Sequence, residues 1–160
     1  MVRTGFGYDV HPLVAGRPLV IGGVSVPSEK GLDGYSDADV LIHAIMDALL
    51  GAAGMRDIGF HFPDNDPQFK NFDSKRLLGK CMELIRSRGY ELGNVDATVC
   101  LQKPAISAHI PEMQKALADT MKVARDQIGI KATTTEHMGF VGRAEGISAY
   151  AVALLVTSSS

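Results

Sequence analysis

The chain has 160 residues, 46% of them hydrophobic and 21% charged, with a formal net charge of −2. That balance excludes a disordered chain, which needs low hydrophobicity and high net charge. It also offers no basic excess for nucleic acid or an anionic membrane, and with 6% aromatic residues and no tryptophan it lacks stacking platforms for bases.

Val2 to Asp9 is predicted as a strand. Leu19 to Val26, broken by Gly22-Gly23, reads as a hairpin with a glycine turn. A polar loop is expected from Pro27 to Tyr35, then Ser36 or Asp37 as the N-cap of a helix over Ala38 to Ala53, closed by Gly54. The stretch from Asp57 to Pro67 is too polar and too rich in Gly and Pro to be regular, and loops of that length inside a domain are usually functional. Asp73 should cap a second helix whose apolar face is Leu77, Leu78, Cys81, Met82 and Ile85, ended by Gly89. Asn94 to Gln102 reads as a strand with Val95, Ala97, Val99 and Leu101 on one face. Pro111 opens a third helix reaching about Asp126, and Ile130 to Thr134 and Ile147 to Val156 complete the strands. The mixture without strict alternation predicts one α+β domain over the whole chain, with helices packed on one face of a mixed sheet and a frayed tail at Ser158 to Ser160.

No apolar run approaches the ~20 residues of a membrane span. Cys81 and Cys100 lack Cys-x-x-Cys spacing and lie in apolar runs, so they read as buried thiols in a reducing compartment. The start of the chain has no signal core, which leaves a cytoplasmic protein or the mature form of an organellar, plastid-type one.

Asp9 and His11, at i and i+2 of a strand, point to the same side. On the first helix, Asp39, His43 and Asp47 fall near one face of an otherwise apolar segment. That face is either solvated or buried with partners, because unpaired buried polar groups cost on the order of several kcal/mol. One economical partner is a metal: Asp9, His11 and His43 supply one oxygen and two nitrogens, the donor set of a catalytic zinc site, and Asp39 or Asp47 is placed to orient His43 from behind. His61, His109 and His137 lack such company. Lys131-Ala132-Thr133-Thr134-Thr135-Glu136 is either a Thr-rich strand edge or a phosphate-binding strand end with a carboxylate for Mg²⁺. Gly139 to Arg143 is a flexible turn that either clamps a phosphate or closes a loop.

The order of Gly7-Tyr8-Asp9-Val10-His11, Ser36-Asp37-Ala38-Asp39, His43-Ala44, Asp57-Ile58-Gly59, Phe62-Pro63-Asp64, Lys131 to Glu136 and Gly142-Arg143 resembles the 2-C-methyl-D-erythritol 2,4-cyclodiphosphate synthase family over nearly the whole chain. The resemblance implies a homotrimeric phosphorus–oxygen lyase with active sites between adjacent subunits. Its substrate would be the cytidine diphosphate compound 4-diphosphocytidyl-2-C-methyl-D-erythritol 2-phosphate. It implies zinc on Asp9, His11 and His43, and a second divalent ion, magnesium or manganese, near Glu136. Asp9, His11, Tyr35, Ser36, Asp57, Ile58, Gly59, Phe62, Asp64 and Asp66 would meet the methylerythritol phosphate end. Leu101, Lys103, Pro104, Ala105, Ile106, Thr133, Thr134, Thr135 and Glu136 would hold the cytidine diphosphate, with Thr134 stabilising the transition state. Phe140 and Arg143 would also touch substrate, and Phe6 and Arg143 would face any cavity on the trimer axis. The chain departs from the family at Tyr35, where a catalytic His is usual, and at Ala105, where Lys is frequent. Tyr is neutral near pH 7, so weaker phosphate stabilisation is expected there. The residues by themselves also admit a zinc-dependent nucleotide phosphohydrolase or a non-catalytic trimeric diphosphate- or isoprenoid-binding protein.

Overall fold

The computed structural model describes residues 1–158. In chain order it contains β1 (Val2–Ala15), β2 (Leu19–Ile21), β3 (Val24–Val26), β4 (Lys30–Leu32), α1 (Val40–Ala52), α2 (Ile58–His61), α3 (Ser74–Ser87), β5 (Tyr90–Cys100), α4 (Ile110–Met121), β6 (Ile128–Thr133), α5 (Gly139–Gly142) and β7 (Gly146–Thr157). Ser159 and Ser160, in the tail expected to fray, lie outside the described residues.

The strands β4-β1-β7-β5-β6 form one sheet, with β5 and β6 parallel and the other neighbours antiparallel. This is the expected mixed sheet, and α1, α3 and α4 pack on it and on each other. Alternation sorts its two faces: Val95, Ala97, Val99, Ile147, Ala149, Ala151 and Ala153 turn into the core. The other face carries Phe6, Tyr8, Val10, Tyr150 and Val152, all exposed in the isolated chain. Cys81 is buried as predicted and its thiol is pushed up to about 12 by burial, with a smaller push from Asp47. Cys100 is only half-buried, because its register puts it on the outer face next to Ser148.

Several boundaries differ from the sequence reading. β1 continues past Asp9, with Pro12 at the point where pairing passes from β7 to β4, so its missing N–H is tolerated. The predicted loop after the hairpin contains β4, which finds its partner only because β1 is long. α1 is capped by Asp39 rather than by Ser36 or Asp37: Ala38 takes a left-handed φ of 58°, so the helix cannot start earlier. The stretch from Asp57 includes a single turn of helix, α2. α4 stops at Met121, where Lys122 in the left-handed region ends it short of Asp126.

Gly5 and Gly7 decide how α1 meets the sheet. A Cβ on Gly7 would lie 1.9 Å from the Ala44 carbonyl oxygen, and one on Gly5 2.0 Å from that of Ala48. The helix backbone therefore rests directly on β1, beside Asp9 and His11. Gly7→Ala forces a methyl into main-chain atoms that cannot swing aside, and overpacking of this kind costs about 3 kcal/mol. Urea unfolding should show that loss for Gly7→Ala. The control Gly79→Ala, where nothing lies within 4 Å of the added Cβ, should gain stability.

Candidate active site

α1 is buried almost all round, from Val40 to Ala52, as its nearly continuous apolar sequence requires. Its one imidazole, His43, is 8% exposed and projects toward β1 one residue before Ala44, the point of close contact with Gly7. There Asp9 Oδ2 lies 2.8 Å from His11 Nε2 and 3.1 Å from His43 Nδ1. His11 Nε2 and His43 Nδ1 are 3.3 Å apart. Thus Asp9, His11 and His43 offer an oxygen and two nitrogens to one centre. That donor set suits a divalent cation with room left for substrate or water. Burial raises the Asp9 carboxyl, but hydrogen bonds from His11 and His43 outweigh it and hold the group at about 2. Burial lowers His43, yet the hydrogen bond to Asp9 prevails and raises it. A bound cation would displace those imidazole protons.

The triad stands in a cleft of about 590 Å³ whose walls include Tyr35, Ser36, Met46, Ile58, Gly59, Phe62, Asp64, Phe69 and Leu77. That volume is ordinary for a small-molecule site. Asp57 is exposed just before α2, and Asp66 lies outside this lining but accepts the Tyr35 hydroxyl proton through its carbonyl at 3.0 Å. Tyr35 returns its own carbonyl to Asn71 N–H at 2.9 Å, so one residue ties both ends of the segment from Asp66 to Asn71.

The expectation that Asp39 or Asp47 orients His43 is corrected. Asp39 accepts from the backbone N–H groups of Gly22, Gly23 and Ile42, fastening the β2–β3 turn to the start of α1. Burial and Asp37 push its carboxyl to about 6 despite those donors. Asp47 accepts from Ile58 N–H at 2.8 Å and sets α2 against α1. Behind His43 stand instead Ser74 Oγ, 3.0 Å from Nε2, and Ser36 Oγ at 3.3 Å. Sequence reasoning also missed Arg17. Its guanidinium donates to the carbonyls of Leu32, Gly34 and Ser36, and so shapes the loop that carries Tyr35 and Ser36. Main-chain acceptors leave no pattern in a sequence, so nothing there pointed to it.

The predicted cytidine residues form a separate group. β5 and β6 end side by side, with Cys100 opposite Thr133 and Leu101 N–H donating to the Thr133 carbonyl. This places Leu101, Lys103, Pro104, Ala105 and Ile106 beside Thr133, Thr134, Thr135 and Glu136. Leu101 and Ile106 are buried, while Thr133, Thr134 and Glu136 are exposed. Lys103 and Pro104 line another cavity, of about 330 Å³, with Leu13, Ser28, Lys30 and Ala144. None of these residues lines the triad's cleft. Phe140 is exposed, and Arg143 pairs with Glu145 at 3.0 Å. His61 bonds to the Met55 carbonyl, and His109, although at the α4 N-terminus, makes no side-chain cap.

The YgbB family profile matches residues 2–156. Curated relatives from Porphyromonas gingivalis and Bacteroides fragilis are 62% identical over 156 residues and 61% identical over 154, covering 98% and 96% of this chain and 96% and 97% of their own. Both are named 2-C-methyl-D-erythritol 2,4-cyclodiphosphate synthase. Among solved structures, the bifunctional IspDF from Campylobacter jejuni superposes with a TM-score of 0.95 at 41% identity, over 98% of this chain and 42% of that one. The CDP complex of IspF from Plasmodium falciparum superposes with a TM-score of 0.87 at 32% identity, over 99% and 97%. With sequence, fold and the Asp9–His11–His43 cluster in agreement, the chain belongs to the YgbB family.

Proposed function

We infer that the chain catalyses cyclisation of 4-diphosphocytidyl-2-C-methyl-D-erythritol 2-phosphate to 2-C-methyl-D-erythritol 2,4-cyclodiphosphate, with release of CMP, in non-mevalonate isoprenoid precursor synthesis. The observation that carries this is the triad of Asp9, His11 and His43 in a cleft, in a chain so close to synthases of that name. An oxygen of the 2-phosphate attacks the β-phosphorus. The bond from that phosphorus to the bridging oxygen of the diphosphate breaks, and CMP leaves with its electrons. Nucleophile and electrophile are both anionic and belong to one molecule, so the protein must neutralise charge and fold the substrate until its ends meet. Asp9, His11 and His43 would hold a zinc ion and Glu136 a magnesium or manganese ion, which would supply Lewis-acid neutralisation of the phosphates.

Asp9, His11 and His43 would hold the first ion. Asp57, Ile58, Gly59, Phe62, Asp64 and Asp66 would enclose the methylerythritol end, with Ser36 at its phosphate. The main chain of Leu101 to Ile106 would read the base, and Thr133 to Glu136 would receive the diphosphate, with Thr134 at the reacting phosphorus. Phe140 and Arg143 complete the contacts. Because the two groups share no cleft within one chain, the reading joins them across neighbouring subunits of a homotrimer. The apolar outer sheet face supports that assembly, since monomers rarely expose such a patch. The bacterial relatives support a cytoplasmic location.

Phosphorus NMR of the products made by the purified protein with substrate and Mg²⁺ tests the reading. The expected result is a cyclic diphosphate plus CMP. An open-chain phosphate would indicate a hydrolase, and binding of CDP without turnover a carrier.

Tyr35 gives its one hydroxyl proton to the Asp66 carbonyl, whereas a histidine there would offer a donor to the phosphate and can be charged. Tyr35→His should raise turnover about tenfold, the value of one charge-assisted hydrogen bond. Tyr35→Phe removes the bond to the Asp66 carbonyl, and should raise KM about fivefold with kcat little changed. Steady-state kinetics of both variants check this, and unchanged or lower turnover in Tyr35→His would count against it.

A further inference from the structure

We propose that Ser74 and Asp37 are positioning residues, which hold His43 in the tautomer that presents an unprotonated Nδ1 to a cation. The proposal rests on the metal reading of the triad given above.

Ser74 Oγ lies 2.5 Å from Asp37 Oδ1 and 3.0 Å from His43 Nε2. A carboxylate only accepts, so the serine proton is committed to Asp37. The serine oxygen then has only lone pairs to offer His43, and Nε2 must carry the proton. In a neutral imidazole the other nitrogen is then bare, which is the form a ligand to metal requires.

The acceptor is itself fixed. Asp37 Oδ2 receives Ser74 N–H at 3.0 Å, and Oδ1 receives Asp39 N–H at 3.2 Å. Ser74 is fully buried in the first turn of α3, so no water competes for its hydroxyl. Ser36 Oγ is also near Nε2, but at 3.3 Å it is the longer contact, against 3.0 Å for Ser74. The N-terminus of α3 thus reaches the triad through one serine, and Asp37 sets the direction of that link.

The test is titration of the metal-free protein with Co²⁺, followed by visible absorption, and with Zn²⁺ against a chromophoric chelator. Ser74→Ala should weaken both affinities about 10- to 100-fold. Ser74→Thr, which keeps the hydroxyl, should stay within about threefold of wild type. Asp37→Ala frees the serine proton to turn toward His43, and should weaken binding as alanine at 74 does. If Ser74→Ala does not fold, Ser74→Cys carries the same expectation, since its thiol accepts poorly. Thermal unfolding of the metal-free variants separates a purely structural role, which would lower Tm and leave affinity unchanged. Wild-type affinity in Ser74→Ala, or a loss in Ser74→Thr as large as in alanine, overturns the proposal. Absence of Co²⁺ binding by the wild type would instead overturn the metal reading and the proposal with it.

Discussion

Asp9→Asn is expected to abolish turnover while leaving the fold intact. The change removes the charge around which His11 and His43 gather, with almost no change in shape. Losing a cation that neutralises the reacting phosphates forfeits several kcal/mol of transition-state stabilisation. At 1.36 kcal/mol per factor of ten, kcat should fall by about a thousandfold. His43→Ala should do the same. Treating the wild type with a chelator should reproduce the loss, and adding Zn²⁺ should restore the activity of the wild type but not of either variant. Coupled measurement of CMP release and of bound metal in the same samples decides the matter. Full activity in Asp9→Asn would remove the triad from the chemistry.

Phe6→Glu is expected to yield a folded but inactive single chain. Phe6 is 62% exposed, and its ring neighbours Tyr150 in a patch that continues through Tyr8, Val10 and Val152. Closing the faces would strip water from a carboxylate in the middle of that patch, and taking a charge out of water costs far more than burying the ring it replaces returns. Light scattering should show three chains for the wild type and one for the variant, with unchanged circular dichroism. On the proposed function, turnover should fall with the assembly, because the triad's cleft and the Thr133 to Glu136 segment would then not meet. Co-expression sharpens the case. His43→Ala and Thr134→Ala chains, each inactive alone, should together regain activity at about a quarter of the sites if each site draws one half from each neighbour in a ring. No recovery on mixing would place both halves in one chain.

What could be read in advance follows from the range of each signal. Asp9 and His11 stand out because strand alternation puts them together, and His43 because it interrupts a helix that is otherwise apolar. The helices, the glycine hairpin and the mixed sheet were equally local and came through. Partners distant in the chain did not. Asp39 and Asp47 look like companions of His43 by spacing, yet each is taken by backbone N–H groups of another segment, Gly22-Gly23 and Ile58. Arg17 serves three carbonyls, and a carbonyl has no letter in the sequence. β4 went unnoticed because a three-residue strand gains its identity from the neighbour it pairs with. The separation of the residues around the triad from those at the ends of β5 and β6 was likewise hidden, since it depends on where β7 lies between β1 and β5.

The pairing of β1 with β7 has a consequence for biogenesis. Val2 lies opposite Val156, and Thr157 N–H donates to the Met1 carbonyl at 3.1 Å. β1 therefore gains its central neighbour only when β7 docks, and contacts of such long sequence separation slow folding. Until β7 docks, the edge of β1 that faces it and the apolar side chains β1 carries stay open, so a folding intermediate that lacks β7 is the one most prone to pair with other chains.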